Sequence, residues 1–343
     1  MILKSSLRMT DYSNTISGLL RPMITEPEVV LDLFAGCGGL SLGFEAAGYK
    51  TYGYEMVPDA AATYNRNMAG HCFSQMLSVG YEYSEIEKPD IIIGGPPCQP
   101  FSRFGNQQGI NDSRDGFPIF IDAIKRFQPK VFLFENVANI IGRHRWYFEL
   151  IVSELKKEGY HISYRIVNAK DYGVPQNRER LVCVGHQGSF YFPNTEHKKV
   201  TVEEAIGDTM YDENPTDKIL TPRMDEYIAV YEKKSHCITP RDLHPNQPAR
   251  TITCRNLAGA TSDMQRVRLL DGRRRRITVR EAARLQSFPD WFEFDGNETK
   301  QYNQIGNAVP PLMAYKLALS VKEAYKAAHE GTAVYYPELL FEI

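Results

Sequence analysis

Cys98 lies at the centre of the run Gly94-Gly95-Pro96-Pro97-Cys98-Gln99-Pro100-Phe101-Ser102, which follows a short apolar stretch at 90–93. Two glycines and two prolines fix the backbone just before the sulfur. A structural cysteine normally sits inside an apolar run, whereas this one follows a rigid turn. The thiolate is the nucleophilic form of cysteine, so a reactive thiol here calls for surroundings that lower its pKa. A second stretch, 130–134, runs into Glu135-Asn136-Val137 and puts a carboxyl group at another strand end. A carboxyl kept protonated there could give a proton to a ring nitrogen. Gln176-Asn177-Arg178-Glu179-Arg180 carries arginines at i and i+2. On an extended chain these point to one side and could hold a ring oxygen or a phosphate. Each feature also has a plainer account: a buried inert thiol, a capping or salt-bridged acid, an ion pair with Glu179.

Glycines mark a third place. The run 29–34 leads into Ala35-Gly36-Cys37-Gly38-Gly39 and then a helical pattern. Glycines at a strand-to-helix turn let a ligand approach the backbone. Glu55 ends the next strand, where an acid can accept hydrogen bonds from ribose hydroxyls. A tight turn with no ligand is the alternative.

These groups need a scaffold that brings strand ends together. Apolar β-branched runs at 29–34, 50–55, 90–93 and 130–134 alternate with helical periods at 40–47, 59–68, 117–127 and near 146–158. That alternation predicts an α/β fold, a doubly wound, mostly parallel sheet covered by helices on both faces. Ligands in such sheets bind beyond the carboxyl ends of the strands. The polar, glycine-bearing stretch 103–116 after Cys98 reads as a lid. From 188 to about 265 the chain is rich in Pro, Asn, Thr and Tyr with little helical period, which suggests a smaller irregular domain. A strand is expected at 181–185, a capped helix at 278–285 opening on Thr278 and Glu281, and a final helix at 312–325 after Pro310-Pro311. The first 28 residues read as a loose lead-in.

Lys and Arg number 40 against 42 Asp and Glu, a net of −2, so the chain is not coated in positive charge. Between Arg241 and Arg284, however, lie eleven arginines, no lysine and four acids, a local net of +7. Arg273, Arg274, Arg275 and Arg276 are consecutive. Such charge suits a phosphate backbone, although a solvated charge run is the usual fate of adjacent arginines. No two of the six cysteines are spaced as a zinc-ligand pair, so no metal is expected. No apolar run approaches the roughly 20 residues of a membrane helix, and the first residues lack the apolar core of a signal peptide, so a cytoplasmic location is expected.

Six blocks together resemble the cytosine-5 DNA methyltransferases, in that family's order: LDLFAGCGGLSLGF (31–44), GGPPCQPFS (94–102), ENV (135–137), QNRERL (176–181), RRITVREAARLQSFPD (275–290) and QIGNAVPP (304–311). The resemblance implies the S-adenosylmethionine-dependent methyltransferase fold. It implies a discontinuous catalytic and cofactor domain (1–187 and 303–343), a target-recognition domain (188–274) and a hinge segment (275–302). Phe34, Gly36, Gly38, Glu55, Met56, Asn307 and Val309 match cofactor positions. Cys98 matches the nucleophile, Glu135 the acid at the base, and Arg180 a contact to the ring oxygen with Arg178 beside it. Pro96, Gln99 and Ser102 fall at the base, where the Pro96 carbonyl would accept from the exocyclic amine. Arg255 and Arg273 to Arg276 would face DNA. Two departures stand out: no acid occurs at 75–78, where one usually touches adenine, and Met56 stands where a larger side chain often packs.

The implied activity is methylation of carbon 5 of cytosine in a short sequence of double-stranded DNA, through a covalent Cys98 adduct to a flipped-out base. Glu135 can assist only if its carboxyl carries a proton when the base is bound. The chain's size suits a bacterial modification enzyme paired functionally with a restriction endonuclease, acting as a monomer. A transfer-RNA cytosine-5 methyltransferase would use the same three residues. A DNA-binding regulator with a retired site is opposed by the intact Cys98, Glu135 and arginines.

Overall fold

The computed structural model describes residues 11–98, 115–215, 218–234, 236, 241–258 and 263–330. Its strands are β1 (Val29–Leu33), β2 (Lys50–Glu55), β3 (His71–Ser74), β4 (Ile91–Gly94), β5 (Val131–Val137), β6 (His161–Asn168), β7 (Gln176–Asn177), β8 (Glu179–His186), β9 (Ala249–Arg250), β10 (Arg266–Arg268) and β11 (Arg274–Arg276). Its helices are α1 (Asp11–Leu19), α2 (Gly39–Ala46), α3 (Pro58–Asn67), α4 (Phe117–Phe127), α5 (Arg145–Lys157), α6 (Val202–Ile206), α7 (Pro222–Lys234), α8 (Cys254–Ala258), α9 (Val279–Leu285), α10 (Glu298–Asn307) and α11 (Pro311–Glu330).

Seven strands form the main sheet in the order β3-β2-β1-β4-β5-β8-β6. Pairings from β3 through β5 are parallel, and β8 runs antiparallel to both β5 and β6. The expected doubly wound sheet is therefore present, with one reversed strand. Burial on both faces makes the central strands β1, β4, β5 and β8 largely apolar rather than alternating. Side chains nonetheless sort by parity. Val30, Ile91, Ile93, Val131, Leu133, Val182 and Val184 join α2 and α11 in one core. Leu31, Leu33, Ile92, Phe132, Phe134 and Leu181 join α4 and α5 in the other. Helices α2 and α11 touch backbone to backbone, because a Cβ on Gly43 would stand 2.3 Å from the Tyr315 nitrogen.

The first 28 residues are not all a loose lead-in. In α1 and just after it, Ile16 and Leu20 are buried. Ser17 accepts the Trp291 indole N–H at 2.8 Å on its carbonyl and the Asp290 N–H at 3.0 Å on its hydroxyl, and Arg21 lies over the Trp291 ring. The 188–265 stretch also holds more helix than its composition suggests. Helix α7 buries only Ile228, so it shows no apolar stripe to read. Ile228, Leu220 and Met264 make a small separate core there.

Candidate active site

The turn before Cys98 is built from close approaches. A Cβ on Gly94 would fall 2.5 Å from the Leu33 carbonyl, and one on Gly116 would fall 2.5 Å from the Pro97 ring. Gly116 N–H donates to the Pro97 carbonyl at 2.9 Å, and Cys98 pairs antiparallel with Asp115. Asn136, directly after Glu135, donates its side-chain amide to the Pro96 carbonyl at 2.9 Å and accepts from Val137 N–H. One asparagine therefore ties the cysteine turn to the end of β5. The Pro96 carbonyl, expected to receive an exocyclic amine, already has this one donor and keeps a second lone pair.

Cys98 is 8% exposed. Burial first, then the carboxylates of Asp115 and Glu135, push its thiol up to about 11. This overturns the expectation of a lowered pKa: the turn lies in the apolar core and faces two acids rather than a cation. Asp115 accepts from the Tyr147 hydroxyl and from Phe117 N–H. Neither Asp115 nor Tyr147 was visible as a site residue in the sequence, since nothing in their spacing ties them to position 98.

Glu135 and Arg180 meet. Residue 135 lies opposite 182 and residue 137 opposite 180 across β5 and β8, so both side chains share one face. Arg180 Nε stands 2.8 Å from Glu135 Oε1, with the two side chains 14% and 12% exposed. Arg178 does not join them as a second base contact. It sits in the break between β7 and β8, and its buried guanidinium donates to the carbonyls of Ile252 (2.7 Å) and Ala308 (3.1 Å). Burial, with Arg180 close by, lowers it to about 9. The i, i+2 rule fails because the strand is interrupted at 178. Gln99, Ser102 and most of the 103–116 segment lie outside the described residues.

On the other side of β1, Phe34, Gly36 and Gly38 adopt positive φ values of 63°, 56° and 89°. The Gly36 N–H donates to Glu55 Oε2 at 2.9 Å, and Val57 N–H donates to Glu55 Oε1 at 2.8 Å. The carboxylate is pinned toward the glycine turn with lone pairs to spare. A Cβ on Gly36 would meet nothing within 4 Å, so the turn opens onto free space. Gly38 is required for a different reason: a Cβ there would strike Met68 and Tyr64. Met56 follows, 60% exposed. From the far end of the chain, Val309 places its carbonyl 2.4 Å from where a Cβ on Gly39 would be. Exposed Asn307 accepts from the Cys254 thiol at 2.7 Å. An open glycine, an anchored carboxylate and an exposed apolar side chain fit an adenosine-bearing cofactor. Just beyond the place of the missing acid, Glu85 accepts from the Tyr54 and Tyr81 hydroxyls within an aromatic cluster.

The model for C-5 cytosine-specific DNA methylases matches residues 29–323. The chain belongs to that family. Type II methyltransferase M.AplI of Arthrospira platensis is 57% identical over 298 residues, covering 86% of this chain and 85% of its own. M1.HphI of Haemophilus parahaemolyticus is 35% identical over 319 residues, covering 85% and 86%. Among solved structures, the S. pombe Dnmt2 methyltransferase gives a TM-score of 0.66 at 17% identity, covering 86% of this chain and 98% of that one. The Entamoeba histolytica methyltransferase EhMeth gives 0.67 at 18%, covering 87% and 99%. These two likenesses are of fold.

The arginine stretch of this methylase is not the basic surface its sequence promises. Arg275 is fully buried and bidentate on Glu281, at 2.7 and 2.8 Å. Glu281 also closes the expected capping box with Thr278. Arg274 pairs with Asp225 and Asp242, each at 3.0 Å, and Arg273 with Glu213 and Asp271. Arg276 donates to the Leu257 carbonyl and lies over the Tyr302 ring. Counting charge along the sequence missed Glu213 and Asp225, which lie outside the counted window and fold onto it. Arg255 remains 61% exposed on its side chain. Among the described residues no group of His, Cys, Asp and Glu could hold a metal ion, and no helix is long and apolar enough to cross a membrane.

Proposed function

We propose that the enzyme methylates carbon 5 of a cytosine within a short sequence of double-stranded DNA, taking that base out of the helix into the pocket between Cys98, Glu135 and Arg180. The ion pair of Glu135 and Arg180 at the strand ends flanking Cys98 carries this reading. Carbon 5 of cytosine is too weak a nucleophile to take a methyl group directly. The Cys98 sulfur, having lost its proton, forms a bond to ring carbon 6, and the electron pair of the 5,6 double bond moves to carbon 5. Glu135 holds a proton against ring nitrogen 3 and so stabilises that charge, while Arg180 keeps the carboxyl oriented and reaches the ring oxygen. The 34–38 turn and Glu55 would hold S-adenosylmethionine, which would supply the electrophilic methyl group. Carbon 5 then loses its proton to a base, the carbon–sulfur bond breaks, and Cys98 leaves as thiolate.

Both ring faces of the cytosine must be reached, which a stacked base does not allow. The large sheet with its returning α11 acts as the catalytic unit, 188–274 reads the DNA and 275–302 joins them. The relatives' name, Type II methyltransferase, supports a protective role beside a restriction endonuclease in the bacterial cytoplasm, with one pocket per monomer.

Labelled methyl transfer to duplex DNA, with transfer RNA as the competing substrate, tests the reading. Transfer to transfer RNA alone would replace it with the RNA enzyme. Bisulfite sequencing of DNA from expressing cells then gives the target. Cys98→Ser should retain cofactor binding and lose transfer and the covalent trap with a 5-fluorocytosine duplex. A trap formed at another cysteine would refute the role of Cys98.

A further inference from the structure

Asn307 lies on a segment whose two ends both reach the glycine turn. The Gln304 carbonyl accepts from the Cys37 thiol at 3.7 Å, and the Val309 carbonyl stands 2.4 Å from where a Cβ on Gly39 would be. Buried donors hold the backbone between those ends. Arg178 and Gln286 both donate to the Ala308 carbonyl, at 3.1 and 2.7 Å, and Gln286 also donates to the Ile305 carbonyl at 3.0 Å. None of these contacts fixes the Asn307 side chain, which is exposed. An asparagine amide can turn over about its last bond, exchanging an acceptor oxygen for two N–H donors. The end it presents decides what it can hold at the turn.

The orienting contact comes from the small region. Helix α8 presses on α10, since a Cβ on Gly306 would stand 2.3 Å from the Cys254 nitrogen. There the Cys254 thiol donates to Asn307 Oδ1 at 2.7 Å, with the Asn303 carbonyl farther off at 3.6 Å. Burial pushes this thiol above its ordinary value, against the pull of Arg178, so it keeps the donated proton at neutral pH. A thiol that donates selects the amide with Oδ1 toward the sulfur. Asn307 Nδ2 makes no hydrogen bond to any described residue, so both of its N–H groups are left to donate. Cys254 itself lies in none of the six family blocks, which stop at 181 and resume at 275.

We infer that Cys254 is a positioning residue for the cofactor: its thiol fixes the Asn307 amide so that Nδ2 donates to an acceptor atom of S-adenosylmethionine at the glycine turn. The family's blocks match Asn307 to a cofactor position, and the thiol adds the group that sets which end of its amide is offered. This inference rests on the cofactor reading above.

The test is the Kd of S-adenosylmethionine for the full chain without DNA, measured by titration calorimetry, with the denaturant midpoint as the check on folding. Cys254→Ala should weaken binding roughly three- to tenfold, the effect of one lost hydrogen bond. Cys254→Ser keeps a donor and should bind within about twofold of wild type. Asn307→Ala should weaken binding at least as much as Cys254→Ala, and the double variant should be no weaker than Asn307→Ala alone, because the thiol acts only through the amide. Asn307→Asp keeps an acceptor for the thiol but has no N–H, so it should lose as much affinity as Asn307→Ala. An unchanged Kd for Cys254→Ala, losses that add in the double variant, or no rescue by Cys254→Ser at a wild-type midpoint would each overturn the role of Cys254. Normal affinity in Asn307→Asp would overturn the assignment of Nδ2 as the donor, and this variant decides the point even where Cys254→Ala fails to fold. A wild type that does not bind S-adenosylmethionine at all would overturn the cofactor reading itself, and this inference with it.

Discussion

A thiol whose pKa is about 11 is ionised in only about one molecule in ten thousand at pH 7. Cys98 in the free enzyme is therefore a poor nucleophile, and the base must change its surroundings before it reacts. The causes are separable. Burial dominates, and Asp115 adds to it as the cross-strand neighbour of Cys98. Alkylation of Cys98 by iodoacetamide, followed on its own peptide by mass spectrometry, should keep accelerating with pH beyond 9. Asp115→Asn should move that profile to lower pH. A wild-type profile already flat near pH 8.5 would remove the burial argument. Glu135 poses a different test, because Gln keeps its shape but cannot carry the acid proton. Single-turnover methyl transfer by Glu135→Gln should fall by about 10²- to 10⁴-fold with cofactor affinity unchanged; a loss in affinity alone would make Glu135 structural.

At the scale of elements, short contacts between segments far apart in sequence hold the site. Helix α2 can lie on α11 only because residue 43 lacks a side chain. Gly43→Ala would drive a methyl group into backbone at 2.3 Å, and a loss of about 1–3 kcal/mol is expected in denaturant unfolding. Arg178 joins the small region at Ile252 to the segment that flanks Asn307. Arg178→Lys cannot span both carbonyls in the same way, so about 1–3 kcal/mol of stability and part of the cofactor affinity should go together. Strands and helices of the sheet were legible because apolar runs and glycine turns are local signals. The meeting of Glu135 with Arg180 was legible only through the family's blocks. Neither Arg178's inward turn nor the neutralised arginines could be read, because both depend on carbonyls and acids that only folding brings near. Helix α1 was missed for the same reason: its partners, Asp290 and Trp291, lie at the other end of the chain.

Across the whole molecule, one buried and one half-buried carboxylate give the halves opposite responses to pH. In the sheet, burial raises Asp32 from 3.8 to about 7, against the hydrogen bond from Ser41. Its folded value exceeds its unfolded one, so its contribution is full below pH 3.8, declines as pH rises, and is gone above about 7. In the small region, burial would raise Asp242, but Arg266 and Arg274 overcome it and hold the carboxyl below 3.8. That contribution is present above 3.8 and is lost as pH falls through the folded value. Thermal unfolding between pH 3 and 8 separates the two through Asp32→Asn and Asp242→Asn. The Tm of Asp32→Asn relative to wild type should climb from about pH 4 to 7 and then level, since only the wild type must bury a charge. The deficit of Asp242→Asn should be largest at neutral pH and shrink toward pH 3, where the wild type also loses its ion pairs with Arg266 and Arg274. A difference for Asp32→Asn that stays flat over pH 4 to 7 would mean that Asp32 reaches solvent or a cation, and that the floor beneath the glycine turn is less dry than its 1% exposure implies.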